Sequence, residues 1–594
     1  MTLSATLTEI DAIFDRFHAT TAAPGCAFGV VIDGAIVHAG GRGTLRDGEA
    51  APPDADSVFR IASMTKSFTA ATILSLRDEG VLGLDDGVAT WVPELAAQRP
   101  WSSDSPPITI RALLTMSAGL PTDDPWGDRQ QDLDPDAFLR FLANGIELAW
   151  PPDSQFEYAN LGYAILGVVI TRAAGVPYRT AVEGRILAPL GLAATAFEPA
   201  TTDPGRLALG YHRRADEWVA QPMAGHGAFA SMGGLFSTVR DLATWAGWLA
   251  AAFPARDDPD PARPLTRATR REMQQVQRAI APELRWTSAA TPPVADVWGY
   301  GFGLFVNLDV KRGRTIGHGG GYPGYGSHMR WHPATGMAVV GVANGRYAPM
   351  ATPCREALSV LVDGEAAPVH RPRPWPALAA ARSAVEALID IWDDAVANSV
   401  FAMNVDLDDD RASRRAAIET LRDVHGRLHA DPTEPAVSLS AADLTWWLAG
   451  DRGRVKVELL LSPEHPPRIQ WLELTSVPDA PPALTAIAER VVGLLAGRFG
   501  GEATPASPAW PADIPLADSV DRAALERDLR ATEAIFGPLT LGPMTAGDGE
   551  RAAAWQLAGR AGDVMLSLEL DPAGGTIQAV ALIPVTHESP VHLA

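Results

Sequence analysis

The N-terminal segment carries apolar residues at alternating steps of four and three, at Leu3, Leu7, Ile10, Phe14 and Phe17. This spacing places all five on one face of a helix. The pattern therefore predicts an amphipathic helix at the start of the chain.

Two further stretches change from extended to helical patterning. Residues 57–63, "SVFRIAS", have a strand-like pattern, and residues 64–80, "MTKSFTAATILSLRDEG", have helical apolar spacing that ends at Gly80. Residues 155–167, "QFEYANLGYAILG", likewise lead into a helix-like apolar run. Residues 315–317 have the pattern of an edge strand, followed by closely spaced glycines.

Beyond residue 365 the patterning changes. The stretch "EAAPVHRPRPWPA" at 365–377 is rich in proline and predicts a linker. We therefore divide the chain into a domain at 1–365, a linker at 366–376 and two smaller domains at 377–480 and 481–594.

The two smaller domains resemble each other in sequence. Leu-Ala-Gly at 448–450 recurs at 557–559, and Gly453 and Val455 recur at the same offset as Gly562 and Val564. Helical segments precede each copy, so we predict tandem α+β repeats in which helices lead into a strand meander. Their pattern resembles small cone-shaped domains of the cystatin or nuclear-transport-factor type. Neither copy contains a compact set of catalytic side chains.

Composition narrows the class of protein. The chain has 594 residues, of which 47% are hydrophobic and 20% charged, as expected of a soluble protein with several domains. A formal net charge of −22 disfavours nucleic acids and anionic membranes as partners. The N-terminus lacks a secretory pattern, no apolar run could span a bilayer, and two cysteines form no disulfide framework. We expect a cytoplasmic protein.

Lysine is scarce in this chain, which contains only Lys66, Lys311 and Lys456. Lys66 follows Ser63 by three residues, so a helix beginning there places both on one face. A serine hydroxyl needs a base to become a nucleophile, and a lysine with a lowered pKa can be that base whereas arginine cannot. The alternative is a helix-capping serine beside an ordinary surface lysine.

Two other short motifs add candidate groups. Tyr158 could shuttle a proton beside a cationic lysine, and the Asn160 amide could bind both lysine and a substrate carbonyl. Within "TIGHGGGYPGYG", His318 could contact substrate or tune Lys66, and the Gly321 N–H could hold an oxyanion together with that of Ser63. The same glycines fit G-x-G-x-x-G, but Pro323 and its successors do not open a helix, so we exclude a dinucleotide site.

The motifs S-x-x-K, Y-x-N and H-x-G, in this order, resemble the serine β-lactamase and penicillin-recognising hydrolase family, which includes D-alanyl carboxypeptidases, D-aminopeptidases and certain esterases. The resemblance covers roughly residues 5–365. It implies an antiparallel sheet flanked by helices plus a helical lobe, with the site in the groove between them. It also implies a role for each candidate residue: Ser63 as acylated nucleophile, Lys66 as base, Tyr158 as proton shuttle, His318 as third-motif residue, and Asn160, Gly320, Gly321 and Asn344 as substrate or oxyanion contacts.

Two positions depart from the family pattern. Met116 stands where many relatives carry histidine, so a loop contact could be lost. His318 replaces the lysine with which β-lactamases attract a substrate carboxylate, and histidine is mostly neutral at pH 7. This difference favours neutral esters or amides, or peptides whose free amine is recognised, over β-lactams.

These observations predict a serine hydrolase that acts through an acyl-enzyme on a small ester, amide or peptide. An acyltransferase, a β-lactamase or D-aminopeptidase, and a non-catalytic binding protein remain alternatives. We expect no metal ion and no cofactor, and homo-oligomerisation is left open.

Overall fold

The computed structural model describes residues 2–50, 52–198, 204–254, 256–260, 263–285, 294–309, 312–364, 374–496, 510–559 and 562–585. They divide into two compact units, one drawn from 1–285 and 295–370 and the other from 286–294 and 371–594. Most of the predicted linker, residues 366–373, lies outside the described residues, so its assignment stays a prediction.

The N-terminal unit is built on a nine-stranded sheet in the order β2-β1-β13-β12-β11-β10-β9-β7, with β8 beside β9. The neighbouring pairs along this order are antiparallel. Two short two-stranded sheets, β3 with β6 and β4 with β5, complete the unit. The strands are β1 (Gly25–Ile32), β2 (Ala35–Gly43), β3 (Phe59–Arg60), β4 (Tyr211–Arg214), β5 (Glu217–Ala220), β6 (Phe236–Ser237), β7 (Arg278–Ala279), β8 (Glu283–Arg285), β9 (Val294–Tyr300), β10 (Phe305–Asp309), β11 (Gly313–Tyr322), β12 (Tyr325–His332) and β13 (Met337–Ala343).

Helices cover both faces of this sheet, and a further group packs together beside it. The helices are α1 (Leu3–Ala19), α2 (Thr65–Asp78), α3 (Ile110–Leu114), α4 (Asp124–Gly127), α5 (Pro135–Ala143), α6 (Asn160–Ala174), α7 (Tyr178–Val182), α8 (Ala230–Gly233), α9 (Val239–Ala250), α10 (Arg267–Met273) and α11 (Ala351–Val362). Helices α1 and α11 pack on one face, while α9 packs on the other, and α2, α3, α7 and α8 surround α6. The expected antiparallel sheet flanked by helices is confirmed.

Successive side chains of β1 pack alternately into two hydrophobic cores, one on each face of the sheet. Cys26 and Phe28 belong to the cluster beneath α1 and α11, whereas Ala27 and Val31 belong to the larger cluster on the opposite face. Successive side chains of a strand point to opposite faces, so a strand covered on both sides has no polar positions facing water. This explains why β1 and β13 are buried along nearly their whole length.

The predicted N-terminal helix is confirmed as α1. Its apolar face buries Ile10 and Phe14 completely and Phe17 almost completely. Phe14 stacks on Phe28 of β1 with ring centroids 3.9 Å apart. The spacing of apolar residues therefore anchors the chain start to the sheet.

The C-terminal unit contains two four-stranded antiparallel sheets, in the orders β14-β15-β16-β17 and β18-β19-β20-β21. Each covers its own hydrophobic cluster. Its elements are α12 (Pro376–Asp390), α13 (Asp394–Val400), α14 (Val405–Asp408), α15 (Arg411–His425), β14 (His429–Ala430), β15 (Asp443–Gly450), β16 (Gly453–Leu461), β17 (Ile469–Pro478), α16 (Pro482–Ala496), α17 (Arg522–Phe536), β18 (Leu539–Gly547), β19 (Ala552–Gly559), β20 (Gly562–Leu570) and β21 (Ile577–Pro584).

The two halves of this unit share local features. Helices α15 and α17 both have 15 residues, with an aspartate at the N-cap and a positive-φ glycine at the C-cap. Gly453 and Gly562 both begin the third strand of their sheets with positive φ. The domain boundary near residue 480 and the repeat relation stay predictions.

Within the described residues, no single helix is long and apolar enough to cross a membrane. One pair of helices, Asn160–Ala174 and Tyr178–Leu187, is long and apolar enough when the two are taken together, but the pair is bent by 75°. This criterion uses length and composition alone.

Replacing Phe14 with alanine removes a fully buried ring from the contact with Phe28. We expect Phe14→Ala to lower stability by about 3–5 kcal/mol, the usual cost of deleting a buried aromatic ring. Circular dichroism should show a fall of several degrees in the melting temperature. Val37→Ala, at an exposed position on β2, should melt like the parent, and equal melting of both variants would contradict the proposed anchoring.

Candidate active site

Ser63 lies at the junction between a short strand and a long helix. Strand β3 leads into a 3₁₀ turn at Ala62–Met64, which continues directly as α2. Ala62 has φ of 48°, in the left-handed region that non-glycine residues rarely adopt. The turn leaves Ser63 8% exposed at the start of the helix.

Lys66 is fully buried one turn after Ser63. Its Nζ donates to Ser63 Oγ at 2.9 Å, to Asn160 Oδ1 at 2.7 Å and to the Met232 carbonyl at 2.9 Å. Three acceptors match the three protons of an ammonium group. Burial lowers the pKa of Lys66 to about 8, although the charges of three nearby aspartates oppose this shift. The amine can therefore lose its proton near neutral pH, as the sequence pattern requires.

Asn160 connects Lys66 to a pair of aspartates. Its Nδ2 donates to Asp124 Oδ1 at 2.7 Å, while its Oδ1 accepts from Lys66. The carboxylate of Asp123 accepts from the backbone N–H groups of Asn160 and Leu161, at 2.6 and 2.8 Å, and so binds the first turn of α6. The predicted placement of Asn160 beside Lys66 thus has a structural basis that the sequence motif did not include.

Tyr158 packs against the same amine. Lys66 Nζ lies 5.0 Å from the centroid of its ring. Burial and the charge of Asp124 raise the pKa of Tyr158 well above its usual range, and a hydrogen bond with Ser63 acts in the opposite direction. The phenol therefore holds its proton beside Ser63.

His318 is an almost fully buried, neutral group on β11. Its Nδ1 lies 2.5 Å from the Gly319 carbonyl oxygen, which can only accept, so Nδ1 carries the proton. Nε2 then accepts from the Tyr300 hydroxyl at 3.2 Å. Burial, and to a lesser extent the charge of Lys66, lower the pKa of His318 to about 3. The site therefore has no positive charge at the position of the third motif.

The glycines after His318 allow β11 to approach the Ser63 turn. A Cβ at Gly320 would overlap the Ile61 carbonyl oxygen and lie 3.1 Å from the Ala62 Cβ. Pairing between β10 and β11 ends at Gly317, so β11 continues past the end of β10 towards this turn. An oxyanion contact from Gly320 or Gly321 stays a prediction. Residues 315–317 do not form an edge strand, because β11 lies between β10 and β12.

Asn344 does not join this cluster, which corrects the expectation that it contacts substrate. It is fully buried, its Oδ1 accepts from the Gly25 N–H at 2.7 Å, and its Nδ2 donates to the carbonyls of Thr44 and Leu45. Its amide joins the ends of three chain segments and has no free N–H for a ligand.

Met116 also has a structural role. It has positive φ, its carbonyl accepts from the Glu157 N–H at 2.8 Å, and its sulfur lies 3.4 Å from the Ala159 nitrogen. Met116 therefore contacts both neighbours of Tyr158, and the expected loss of a histidine contact at this position stays a prediction.

Several groups of the site were not found from the sequence. Asp123 and Asp124 precede α6 by more than thirty residues, and Met232 and Tyr300 contribute from separate segments. A pair of acidic residues before proline is a weak turn signal, and a backbone carbonyl leaves no signal at all. Among the described residues, no group of three histidine, cysteine, aspartate or glutamate side chains could hold a metal ion.

Comparison with known proteins agrees with this geometry. The model of a protein family described as Beta-lactamase matches residues 10–361. The chain is 29% identical over 335 residues to the D-alanyl-D-alanine-carboxypeptidase/endopeptidase AmpH of Escherichia coli (strain K12), which covers 53% of this chain and 79% of AmpH. It is 30% identical over 379 residues to Esterase EstB of Burkholderia gladioli, covering 59% and 93% of the two chains.

One solved structure matches along nearly the whole chain. It is the octameric penicillin-binding protein homologue from Pyrococcus abyssi, with a TM-score of 0.51, 18% identity and 98% coverage of both chains. At this identity the match concerns the fold alone.

The lowered pKa of Lys66 predicts a specific pH dependence for any turnover that starts at Ser63. Below about pH 8 the neutral fraction of the amine falls tenfold per pH unit, so kcat/KM should rise with pH up to about 8 and then level off. His318 should add no inflection between pH 5 and 9. Lys66→Arg, which keeps the charge but supplies no base, should lose roughly 100-fold or more in kcat. Initial rates of product formation as a function of pH measure both the profile of the parent and the loss in the variant. An arginine variant with parental activity would exclude Lys66 as base.

Proposed function

The chain belongs to the beta-lactamase family and is a serine hydrolase of that family, and we propose that it acts through an acyl-enzyme on Ser63 with small esters, amides or peptides as substrates. The observation that carries this proposal is the 2.9 Å hydrogen bond between Ser63 Oγ and a fully buried amine whose pKa is lowered to about 8. A buried lysine without a catalytic role would be a costly way to fill this space.

In the acylation step, neutral Lys66 accepts the Ser63 proton while Oγ attacks the substrate carbonyl carbon. The N–H groups of Ser63 and of β11 at Gly320 or Gly321 stabilise the resulting oxyanion. The bond from carbon to the leaving oxygen or nitrogen then breaks, and Tyr158 delivers a proton to the leaving group as Lys66 supplies another to Tyr158. Water, activated by the same groups, attacks the ester carbonyl and releases Ser63.

Asn160 and Asp124 keep the amine in place during this cycle. Asn160 Oδ1 accepts from Lys66 in either protonation state, and Asp124 fixes the orientation of the asparagine amide. The negative charge of Asp124 also raises the pKa of Lys66 against burial, so the amine is not held permanently neutral. It can thus return a proton when the leaving group needs it.

The surroundings of His318 favour an uncharged apolar or aromatic group next to the reacting carbonyl of the substrate. The imidazole itself is uncharged, and the Phe305 ring lies 5.2 Å from it and 6.2 Å from the Tyr158 ring. Phe156 and Trp298 extend this group of half-buried rings. We name these residues, Phe156, Trp298 and Phe305, the aromatic shelf. A half-buried apolar surface of this kind stabilises an aryl group through burial and contacts between rings.

We also propose that the two halves of the C-terminal unit are copies of one α+β module. The support is their recurring sequence, the equal lengths and caps of α15 and α17, and the same order of strands in both sheets.

A covalent probe tests the catalytic proposal. A fluorophosphonate should label the full chain once, and mass spectrometry of the digest should place the adduct on Ser63. Ser63→Ala should lose both labelling and turnover of p-nitrophenyl esters, because the nucleophile is absent. Ser154→Ala, at an exposed serine of the same unit, should retain both. Labelling and turnover that persist in Ser63→Ala would disprove the proposal, and release of a methyl ester in added methanol would distinguish acyl transfer from hydrolysis.

The aromatic shelf predicts a preference among acyl groups. Phe305→Ala should lower kcat/KM for p-nitrophenyl phenylacetate about 3- to 10-fold more than for p-nitrophenyl acetate, the range expected for one aromatic contact. Both esters share one leaving group, so their ratio isolates the acyl part. Phe253→Ala, a half-buried phenylalanine after α9, serves as control and should leave the ratio unchanged. An unchanged ratio in Phe305→Ala would show that the shelf is structural only.

A further inference from the structure

Apart from the candidate active site, a pocket of the N-terminal unit lies beside the loop that follows β13. It has a volume of about 310 Å³, and it is mainly cationic and aromatic. Its lining includes Thr21, His212, Arg213, Trp218, Arg346 and Tyr347. We refer to it as the Arg346 pocket.

Tyr347 links this pocket to the candidate active site. Besides lining the pocket, its ring lies against Gly321 of β11, where an added Cβ would come within 2.8 Å of Cδ1. Its hydroxyl donates to Asp128 Oδ2 at 2.7 Å. Gly321 follows Gly320, which abuts the Ser63 turn, so an extended molecule lying along β11 from Ser63 would reach Tyr347 next.

The backbone at Tyr347 is held in an unusual conformation. Its φ is 49°, although it is neither glycine nor asparagine, and 41% of the residue is exposed. Such a conformation costs about 1–3 kcal/mol and persists only where the surroundings impose it. Here it places an aromatic ring between β11 and the two arginines.

The charge of the pocket is positive in a chain that is otherwise strongly acidic. In the part of the chain that the structure describes, no carboxylate oxygen lies within 4.0 Å of the Arg346 guanidinium, which instead donates to His212 Nε2 at 3.4 Å and stands over the Tyr347 ring. Arg213 stands over Trp218 and pairs with Asp216 at 3.5 Å. The Asp216 side chain is 99% exposed, and a pair of that kind is weak and readily exchanged.

This arrangement suits a carboxylate. A guanidinium presents a planar fork of N–H donors that matches two carboxylate oxygens, and stacking on aromatic rings fixes its orientation in advance. The Tyr347 and Trp218 rings supply apolar walls for the carbon chain that carries the charge. Neutral His318, by contrast, gives an anion no attraction close to the reacting carbonyl.

We propose that the Arg346 pocket binds the free carboxylate of an extended substrate whose ester or amide carbonyl acylates Ser63, with Arg346 and Arg213 as specificity-determining residues. This inference rests on the proposed function of Ser63 and names the substrate class more narrowly. The carboxylate lies several bonds from the reacting carbonyl, beyond the width of the Tyr347 ring.

The test compares matched charged and uncharged esters on the full chain. One series consists of mono-p-nitrophenyl esters of succinic, glutaric, adipic and suberic acid, which carry the carboxylate in the acyl part. The other consists of acetyl esters of 3- and 4-hydroxyphenylacetic acid, which carry it in the leaving group. Each acid is paired with its own methyl ester, and the ratio of the two kcat/KM values is measured.

In one series the parent should prefer the acid over its methyl ester, with an optimum chain length, and the preference should lie in KM and weaken with added salt. Arg346→Gln should lower that ratio about tenfold, the scale of one charge-assisted hydrogen bond, and Arg213→Gln should lower it by less. Arg346→Glu should disfavour the acid still further. Arg214→Gln, at an exposed arginine of the same β-hairpin that does not line the pocket, is the matched control and should keep the parental ratio.

Three results would overturn this inference. The first is an active parent that shows no preference for any acid over its methyl ester, and the second is an Arg346→Gln variant that keeps the parental ratio. The third result is that Arg214→Gln lowers the ratio as much as Arg346→Gln does, because the preference would then reflect the overall positive charge of the hairpin. If the parent forms an acyl-enzyme with none of the esters, charged or methylated, the function proposed for Ser63 would be overturned instead. The two failures are therefore distinguishable.

Discussion

The burial of one amine organises the catalytic part of this protein. Lys66 has no exposed surface, yet all three of its protons have acceptors, from Ser63, Asn160 and Met232. Removing an ammonium group from water is expensive unless such partners replace the water. The fold therefore has to bring α2, α6 and α8 together around a single nitrogen atom, and the same desolvation lowers its pKa into the range where it can act as a base.

The acidic residues near this amine set the limit of that shift. Asp124, Asp128 and Asp123 all favour the charged form of Lys66, and without them burial would hold the amine neutral over a wider range of pH. The charged form of two of these aspartates is disfavoured in turn, because burial raises the pKa of Asp128 to about 6 and also raises that of Asp123. A base that must both accept and return a proton needs opposing influences of this kind.

The charge of Lys66 also affects the protonation of His318 in the third motif. Burial and the charge of Lys66 both disfavour a proton on His318, so the imidazole stays neutral and binds the Tyr300 hydroxyl. Positive charge that could attract an anionic substrate lies instead beyond Tyr347, where Arg213 and Arg346 line an open pocket in the same unit. These two arginines are thus distinct from the buried groups that surround Ser63 and Lys66.

The sequence by itself determined the local parts of this arrangement. A separation of three residues at the start of a helix places Ser63 and Lys66 on the same side, and apolar periodicity predicts α1, α2 and α6. The motif order then indicated that Tyr158, Asn160 and His318 meet these residues. Only the tertiary structure decided what surrounds them: that Asp123 and Asp124 reach α6, that β11 is an inner strand, and that Asn344 joins backbone segments and takes no part in the site. These contacts join residues far apart in the chain, and several of them satisfy backbone groups that only the folded chain brings within reach, so no local pattern of side chains encodes them.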